Sequence, residues 1–304
     1  MDNVEYFRTF FNNFLQRNEF PKEWKRSKLT LIEKPRKHLN DPPKYRPICL
    51  IDVIGKVYEK LINTRLLEEI RKKRNGMHPN QYGFVKGKST THAMKKISDI
   101  VKRKATWHNA LILVDVKNAF NCASWEIIIK ELRRWGISGY LVNIIRSYLD
   151  NRFIVLNRED EREVFGGVPQ GSVLGPTLWN ILYDSVMELT VPGGTELICY
   201  ADDLAVIITK KTKRTKKIND LDLMQTVDDT LKIIARWMRE HRLEIAVEKT
   251  EAILLSRKRK VDHIRFNFKD IIINPVKQVN YLGFHIDRAL TMGLHIKEVC
   301  LKSQ

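Results

Sequence analysis

The chain has 304 residues, 43% of them hydrophobic, with a net charge of +18 and an isoelectric point near 9.7. That length can bury a full core in one large domain or in two or three lobes. No apolar run approaches the roughly 20 residues of a membrane span, and Met1 to Glu5 lacks the basic and apolar regions of a secretory leader. The charge favours a polyanionic partner, nucleic acid first. Cys49, Cys122, Cys199 and Cys300 are scattered without CxxC spacing and read as buried reduced thiols of an intracellular protein.

Residues Val4 to Leu15 space their apolar and aromatic side chains as an amphipathic helix does. Lys28 to Ile32 alternates like a strand, and Tyr45-Arg46-Pro47-Ile48 begins a second extended piece, because the residue before proline avoids the helical region. Joined by a polar, proline-rich loop, the two make a hairpin with Lys34 and Arg46 near one end. Those cations suit either an ordinary exposed edge or a flap that holds a triphosphate. Val57, Leu61, Ile62, Leu66 and Ile70 form a helical core stripe. The basic run Arg71-Lys72-Lys73-Arg74 follows, one of three such clusters with Lys210 to Lys217 and Arg257 to Lys260.

Asn80-Gln81-Tyr82-Gly83-Phe84 leads through Lys86-Gly87-Lys88-Ser89 into a helix starting near Thr90, with Ser89 as its N-cap. The glycines and lysines suit a backbone close to phosphate, but the GxxxxGK[ST] spacing of an ATPase loop is absent. Leu111 to Val116 is a buried-strand run containing Asp115, a costly place for a lone acid unless it is paired or bound to metal. A helix from about Ser124 to Trp135, closed by Gly136, and another from Leu141 to Tyr148 follow. Arg152 to Leu156 and Arg162 to Phe165 read as short strands.

Gly166-Gly167-Val168-Pro169-Gln170-Gly171-Ser172 is a glycine-flanked turn that lets a nucleotide lie close to the backbone, or simply a loop before the apolar helix Leu178 to Leu189. Next comes Tyr200-Ala201-Asp202-Asp203, two carboxylates between apolar runs, read as a hairpin with both aspartates at its tight turn. Adjacent carboxylates there repel each other unless a cation sits between them. Leu221, Met224, Val227, Leu231, Ile234 and Met238 mark an amphipathic helix. Arg242 to Ala246 and Ile253 to Leu255 read as strands bracketing Glu248-Lys249-Thr250. Val279 to Asp287 is strand-like with a bend at Gly283, and a last helix begins around His295.

In this order the motifs resemble the reverse transcriptase domain of non-LTR (LINE-type) retrotransposons. The likeness rests on Lys34, Tyr45-Arg46-Pro47-Ile48, Gln81-Tyr82-Gly83-Phe84, Val114-Asp115 through Ala119-Phe120, Gly167 to Ser172, Tyr200 to Asp203, Glu248-Lys249-Thr250 and Tyr281-Leu282-Gly283. Asn118 to Asn121 and Leu178 to Asp184 look most like arthropod elements, including those that insert into ribosomal RNA genes. The resemblance implies an α+β right-hand polymerase fold, with fingers and palm, an antiparallel palm sheet backed by helices, and a truncated thumb. Fingers would span residues 1–107, palm 108–287 with part of the fingers at about 124–165, and the start of the thumb 288–304.

The resemblance further implies an RNA-directed DNA polymerase. Asp115, Asp202, Asp203 and the Val116 carbonyl would hold two Mg2+ ions, for which Mn2+ can substitute. Lys249 would protonate the pyrophosphate leaving group. Lys34, Arg46, Phe120, Gln170 and Gly171 would bind the nucleotide, Phe120 by excluding a ribose 2′-hydroxyl, and Tyr281, Leu282 and Gly283 would grip the primer. The implied partners are an RNA template, a DNA primer or nicked target DNA, and deoxynucleoside triphosphates, with no membrane. The reaction would take place in the nucleus, after synthesis and RNA assembly in the cytoplasm. Rival readings are a fragment that binds RNA without polymerising and a group II intron-like maturase.

Overall fold

The computed structural model describes residues 3–33, 45–103, 107–157, 160–211, 220–255, 264–268 and 271–302. Lys34, Arg257 to Lys260 and most of the Lys210 to Lys217 run lie outside these residues. In chain order the first elements are α1 (Asn3–Arg17), β1 (Arg26–Glu33), β2 (Tyr45–Leu50), α2 (Val53–Arg74), α3 (Thr90–Arg103) and β3 (Trp107–Val114). Then come α4 (Ala119–Cys122), α5 (Trp125–Arg134), α6 (Gly139–Leu149), β4 (Arg152–Val155), β5 (Glu161–Val164) and α7 (Gly175–Tyr183). The remainder comprises β6 (Thr195–Tyr200), β7 (Asp203–Lys211), α8 (Asp220–Glu240), β8 (Glu251–Leu255), β9 (Phe266–Phe268), β10 (Ile271–Ile273), β11 (Gln278–Tyr281), β12 (Phe284–Asp287) and α9 (Gly293–Lys302). These elements divide into two compact units, one of residues up to 77 together with 118–183, the other of 78–117 together with 184 onward.

In the first unit a four-stranded sheet runs in the order β2-β1-β4-β5. The expected hairpin forms, with β1 and β2 antiparallel and Arg46 opposite Ile32. Asp52 caps α2 by accepting from the Ile54 and Gly55 amides at 2.8 and 3.2 Å. The buried side of α2 is Tyr58, Ile62, Leu66 and Ile70, whereas Val57 and Leu61 are exposed. Tyr58 takes the inner position because it stacks on Phe11 of α1 at 5.7 Å, and so rotates the core stripe away from the two aliphatic residues. The basic run ending α2 is partly structural, since the Arg74 guanidinium lies 3.9 Å over the Trp135 ring and Lys73 donates to the Gly136 carbonyl. The helix read as Leu178 to Leu189 is α7 followed by a 3-10 turn over Asp184–Glu188.

The second unit is built on a four-stranded antiparallel sheet, β6-β7-β3-β8. Its central strand β3 is apolar on both faces because both are covered. On one face Leu111, Leu113, Ala205, Ile207 and Ile253 pack against Ala93, Met94, Ile97 and Ile100 of α3. Each leucine, isoleucine or methionine among them contributes about 1.5–3 kcal/mol on full burial. Helix α8 buries Leu223, Val227, Leu231, Ile234 and Met238, while Leu221 is exposed. Arg242 to Ala246 is not a strand: Arg242 is left-handed at φ 56° and only Ile245 bridges, to Val116. Cys49 and Cys199 are buried as expected, but Cys122 and Cys300 are exposed. Among the described residues no helix is long and apolar enough to cross a membrane.

Candidate active site

The second unit brings three carboxylates to one end of its sheet. β3 and β7 pair from Trp107↔Lys211 to Val114↔Leu204, so one further step in that register sets Asp115 opposite Asp203. β6 and β7 pair up to Tyr200↔Asp203. The two-residue turn is therefore Ala201–Asp202, and Asp203 already opens β7, one place later than a turn holding both aspartates. Ala201 adopts the left-handed region at φ 57°, as a tight hairpin turn demands.

The electrostatics of these groups are those of like charges held together. Partial burial pushes the Asp202 carboxyl up, its own backbone N–H opposes, Asp115 pushes further and Lys249 pulls back. Asp203 is pushed up to about 7, by desolvation first and then by Asp202 and Asp115. As a residue Asp203 keeps an exposed edge. Solvent screening therefore weakens its desolvation, and the repulsion from the other two aspartates is the part that stands. Among the described residues the cation in direct contact is Lys249, whose Nζ donates to Asp115 Oδ2 at 2.9 Å. Lys249 arrives there on a 3-10 turn, Val247–Lys249, anchored because the Ala246 amide donates to the Asp115 carbonyl at 2.9 Å and the Lys117 amide to the Glu244 carbonyl at 2.8 Å. Neither bond uses the Val116 carbonyl.

A cavity of about 300 Å³ opens here, lined by Asp115, Asp203, Lys249, Glu251, Asn280 and Tyr281. Tyr281 ends β11, and the turn Leu282-Gly283 has both residues at positive φ, 52° and 84°, the requirement of a type I′ hairpin. The Tyr281 phenol is buried and held well above its ordinary range by desolvation, then by Cys199 and Asp203. Hard oxygen donors under mutual repulsion suit a hard divalent cation. Among the described residues, however, no three His, Cys, Asp or Glu side chains are grouped to hold a metal ion as they stand; Asp115 is turned to Lys249 instead.

The residues expected to bind nucleotide, apart from Lys34, lie in the first unit. Arg46 is exposed on β2. Phe120, half-buried, stacks on Trp179 at 5.4 Å, and its carbonyl accepts from the Val168 amide at 2.7 Å. Gly167 fits because an added Cβ would stand 2.8 Å from the Asn121 carbonyl oxygen. Gln170 is fixed through its own carbonyl, which accepts from the Cys49 amide at 2.7 Å. The sequence reading missed Glu59, fully buried on α2, whose carboxylate accepts from the Val173 and Leu174 amides at 2.6 and 3.0 Å and so holds the start of α7. An acid between Tyr58 and Ile62 on a core-facing helix was the available signal. The reading also missed Gln81, whose side chain accepts from the Gly83 and Ala201 amides.

Comparison with known proteins agrees over nearly the whole chain. It is 28% identical over 307 residues to the "Probable RNA-directed DNA polymerase from transposon BS" of Drosophila melanogaster, covering 97% of this chain and 33% of that protein. It is 24% identical to the "Retrovirus-related Pol polyprotein from type-1 retrotransposable element R1" of Bradysia coprophila, covering 96% of this chain and 28% of that protein. The chain thus spans about a third of the length of the curated relatives it matches. Among solved structures, telomerase from Candida Tropicalis in complex with a TWJ fragment of telomeric RNA aligns with a TM-score of 0.58 at 13% identity, covering 94% of this chain and 47% of that one. That likeness is one of fold, the α+β right-hand polymerase fold. Residues 32–286 match the family described as "Reverse transcriptase (RNA-dependent DNA polymerase)", and the chain belongs to that family.

Proposed function

We propose that this chain is the polymerising domain of a non-LTR retrotransposon protein, copying element RNA into cDNA from a DNA primer at a nicked target. The observation that supports this reading is the register of β3 and β7, which runs to Val114↔Leu204 and leaves Asp115 and Asp203 as the next residues of the two strands, beside the Ala201–Asp202 turn. Membership of the family implies a divalent cation, and the hard-oxygen donor set fits one. Asp115 and Asp202 would hold two Mg2+ ions, with Asp203 and the Val116 carbonyl assisting. When bound, such a pair stabilises the attacking and leaving oxygens of the transfer.

The chain's own residues do the rest. Release of Lys249 from Asp115 frees its ammonium to protonate the pyrophosphate leaving group. Arg46 and Lys34 meet the triphosphate, Gln170 and Gly171 lie against the nucleotide, and the Phe120 ring excludes a ribose 2′-hydroxyl. Tyr281, Leu282 and Gly283 hold the primer. Template RNA and primer are drawn by the net charge of +18. The basic run from Lys210 to Arg214 suits nuclear entry for the reaction.

The test is primer extension on an RNA template with Mg2+ and deoxynucleotides, set beside Asp202→Asn. The parent should extend and the variant should lose on the order of 1000-fold in rate, about 4 kcal/mol of transition-state stabilisation. RNA binding by both with extension by neither would replace this reading with that of an RNA-binding fragment.

A further inference from the structure

The stretch from His78 to Ser89 has no part in the chemistry proposed above, although its glycines and lysines suit phosphate contact. Its hydrogen bonds point inward instead. Lys88 Nζ donates to the Pro79 and Gln81 carbonyls at 2.5 and 2.8 Å and lies 4.8 Å over the Tyr82 ring. The Tyr82 amide donates to the Cys199 carbonyl at 2.8 Å and the Cys199 amide to the Asn80 carbonyl at 3.0 Å, lacing the loop along β6. Asn80 Nδ2 adds a bond to the Leu197 carbonyl at 2.9 Å, and Asp184 accepts from the His78 amide at 2.8 Å.

At the end of this lacing stands Gln81, fully buried. Its Oε1 accepts from the Gly83 amide at 2.9 Å and from the Ala201 amide at 3.1 Å. Its Nε2 faces the Ala201 carbonyl at 3.5 Å. One primary amide thus brackets both polar groups of the residue that turns the chain into Asp202. Ala201 is left-handed, a conformation strained for an L-residue with a Cβ that persists only where the surroundings hold it. Gly83 closes the same contact, since a Cβ there would fall 2.0 Å from the Ala201 amide nitrogen.

We propose that Gln81 is a positioning residue for the carboxylate turn: its side-chain amide locks Ala201 in the left-handed conformation and so fixes the direction in which Asp202 and Asp203 are presented. The proposal rests on the polymerase reading for its consequence in catalysis, but not for the contact itself. A neutral amide is suited to the place because it accepts twice and donates once without adding charge beside two carboxylates. Gln81→Met keeps the length and removes all three interactions. Gln81→Glu keeps an acceptor for both amides.

Two readouts separate positioning from mere support of the core. In the metal-free protein, amide hydrogen exchange at Ala201 and Gly83 should speed up about tenfold in Gln81→Met, with the amides of Ile198 and Val206 unchanged. Gln81→Glu should keep both amides protected. In primer extension Gln81→Met should lower kcat about tenfold with the deoxynucleotide KM within about twofold, the pattern of a lost transition-state interaction, and should raise the Mg2+ concentration for half-maximal rate. Unchanged exchange at Ala201, or faster exchange throughout β6 and β7, overturns the proposal. If Gln81→Met does not fold, loss of Ala201 protection in Gln81→Glu overturns it equally. A parent that extends no primer counts against the polymerase reading alone, because the exchange result stands without activity.

Discussion

Two loops each carry a glutamine within two residues of a glycine, Gln81 with Gly83 and Gln170 with Gly171, and the fold treats them in opposite ways. Around Gln81 the side chain does the holding: it is buried and engages Gly83 and Ala201. Around Gln170 the main chain does it. The Gln170 carbonyl accepts from Cys49, the Ser172 amide donates to the Pro169 carbonyl at 3.1 Å, and Ser172 Oγ accepts from the Gly175 amide at 2.8 Å. The Gln170 side chain is half-buried, and no hydrogen bond to a described residue uses its amide. A side chain whose bonding capacity is taken up inside the protein is scaffold. A loop clamped through its backbone leaves the side chain available to a ligand.

Glycine substitution is the strongest way to break this contrast. Gly83→Ala drives a Cβ to 2.0 Å from the Ala201 nitrogen and 2.7 Å from its Cα, with only main chain to move. It should cost about 3 kcal/mol or more in denaturant unfolding, at the upper end of overpacking. Gly171→Ala meets the Cys49 carbonyl oxygen at 2.7 Å and forces a Cβ onto φ 110°. Its loop edge is exposed and can shift, so about 1–2 kcal/mol is expected. A larger loss at Gly171 than at Gly83 would reverse the assignment of scaffold and ligand loop.

The sheet behind the carboxylates was legible in the sequence because its strands are apolar runs of strand length bounded by turn residues. Leu111 to Val114 and Leu204 to Ile208 pair as those runs require. The turn itself was not legible to the residue. Which two residues turn depends on Ala201 taking a conformation that its own propensity opposes, and the group that holds it lies 120 residues upstream. Arg242 to Ala246 misled for a related reason: alternation suggested a strand, but the left-handed Arg242 and the 3-10 turn at Val247–Lys249 leave room for a single bridge. Tyr58 displaced Val57 and Leu61 from the core through aromatic stacking that no period reveals. Arg46, Phe120 and Gln170 were singled out by family likeness, because nothing in local pattern separates them from an edge strand, a core aromatic and a loop.

The contrast extends to the carboxylate each loop manages. Burial pushes Glu59 up, but the Leu174 and Val173 amides oppose it. Burial pushes Asp203 up as well, and there Asp202 and Asp115 push it further. With a folded value of about 7 against 3.8 for the free side chain, the folded protein binds more protons across that window, so stability falls as pH rises through it. Asp203→Asn, measured in EDTA, should therefore stabilise by about 1 kcal/mol at pH 8 once solvent screening is discounted. The gain should shrink through pH 7 and vanish below the unfolded value. An equal gain at pH 4 and pH 8 would mean that repulsion is not its source.

The smallest structural effect belongs to Gln170→Met, and it sharpens the comparison most. The substitution leaves the Gln170 carbonyl on Cys49 and removes only an amide that no described group engages, so stability should stay within about 0.5 kcal/mol. If that amide meets a nucleotide, the deoxynucleotide KM should rise about tenfold, the cost of one hydrogen bond of about 1.4 kcal/mol. Gln81→Met is expected to do the converse, lowering kcat and sparing KM. Two variants with the same chemical change would then separate by kinetic parameter, and the separating factor would be where each glutamine amide was engaged before substrate arrived. Equal effects of the two on KM would show that burial of the side chain does not distinguish scaffold from contact in this fold.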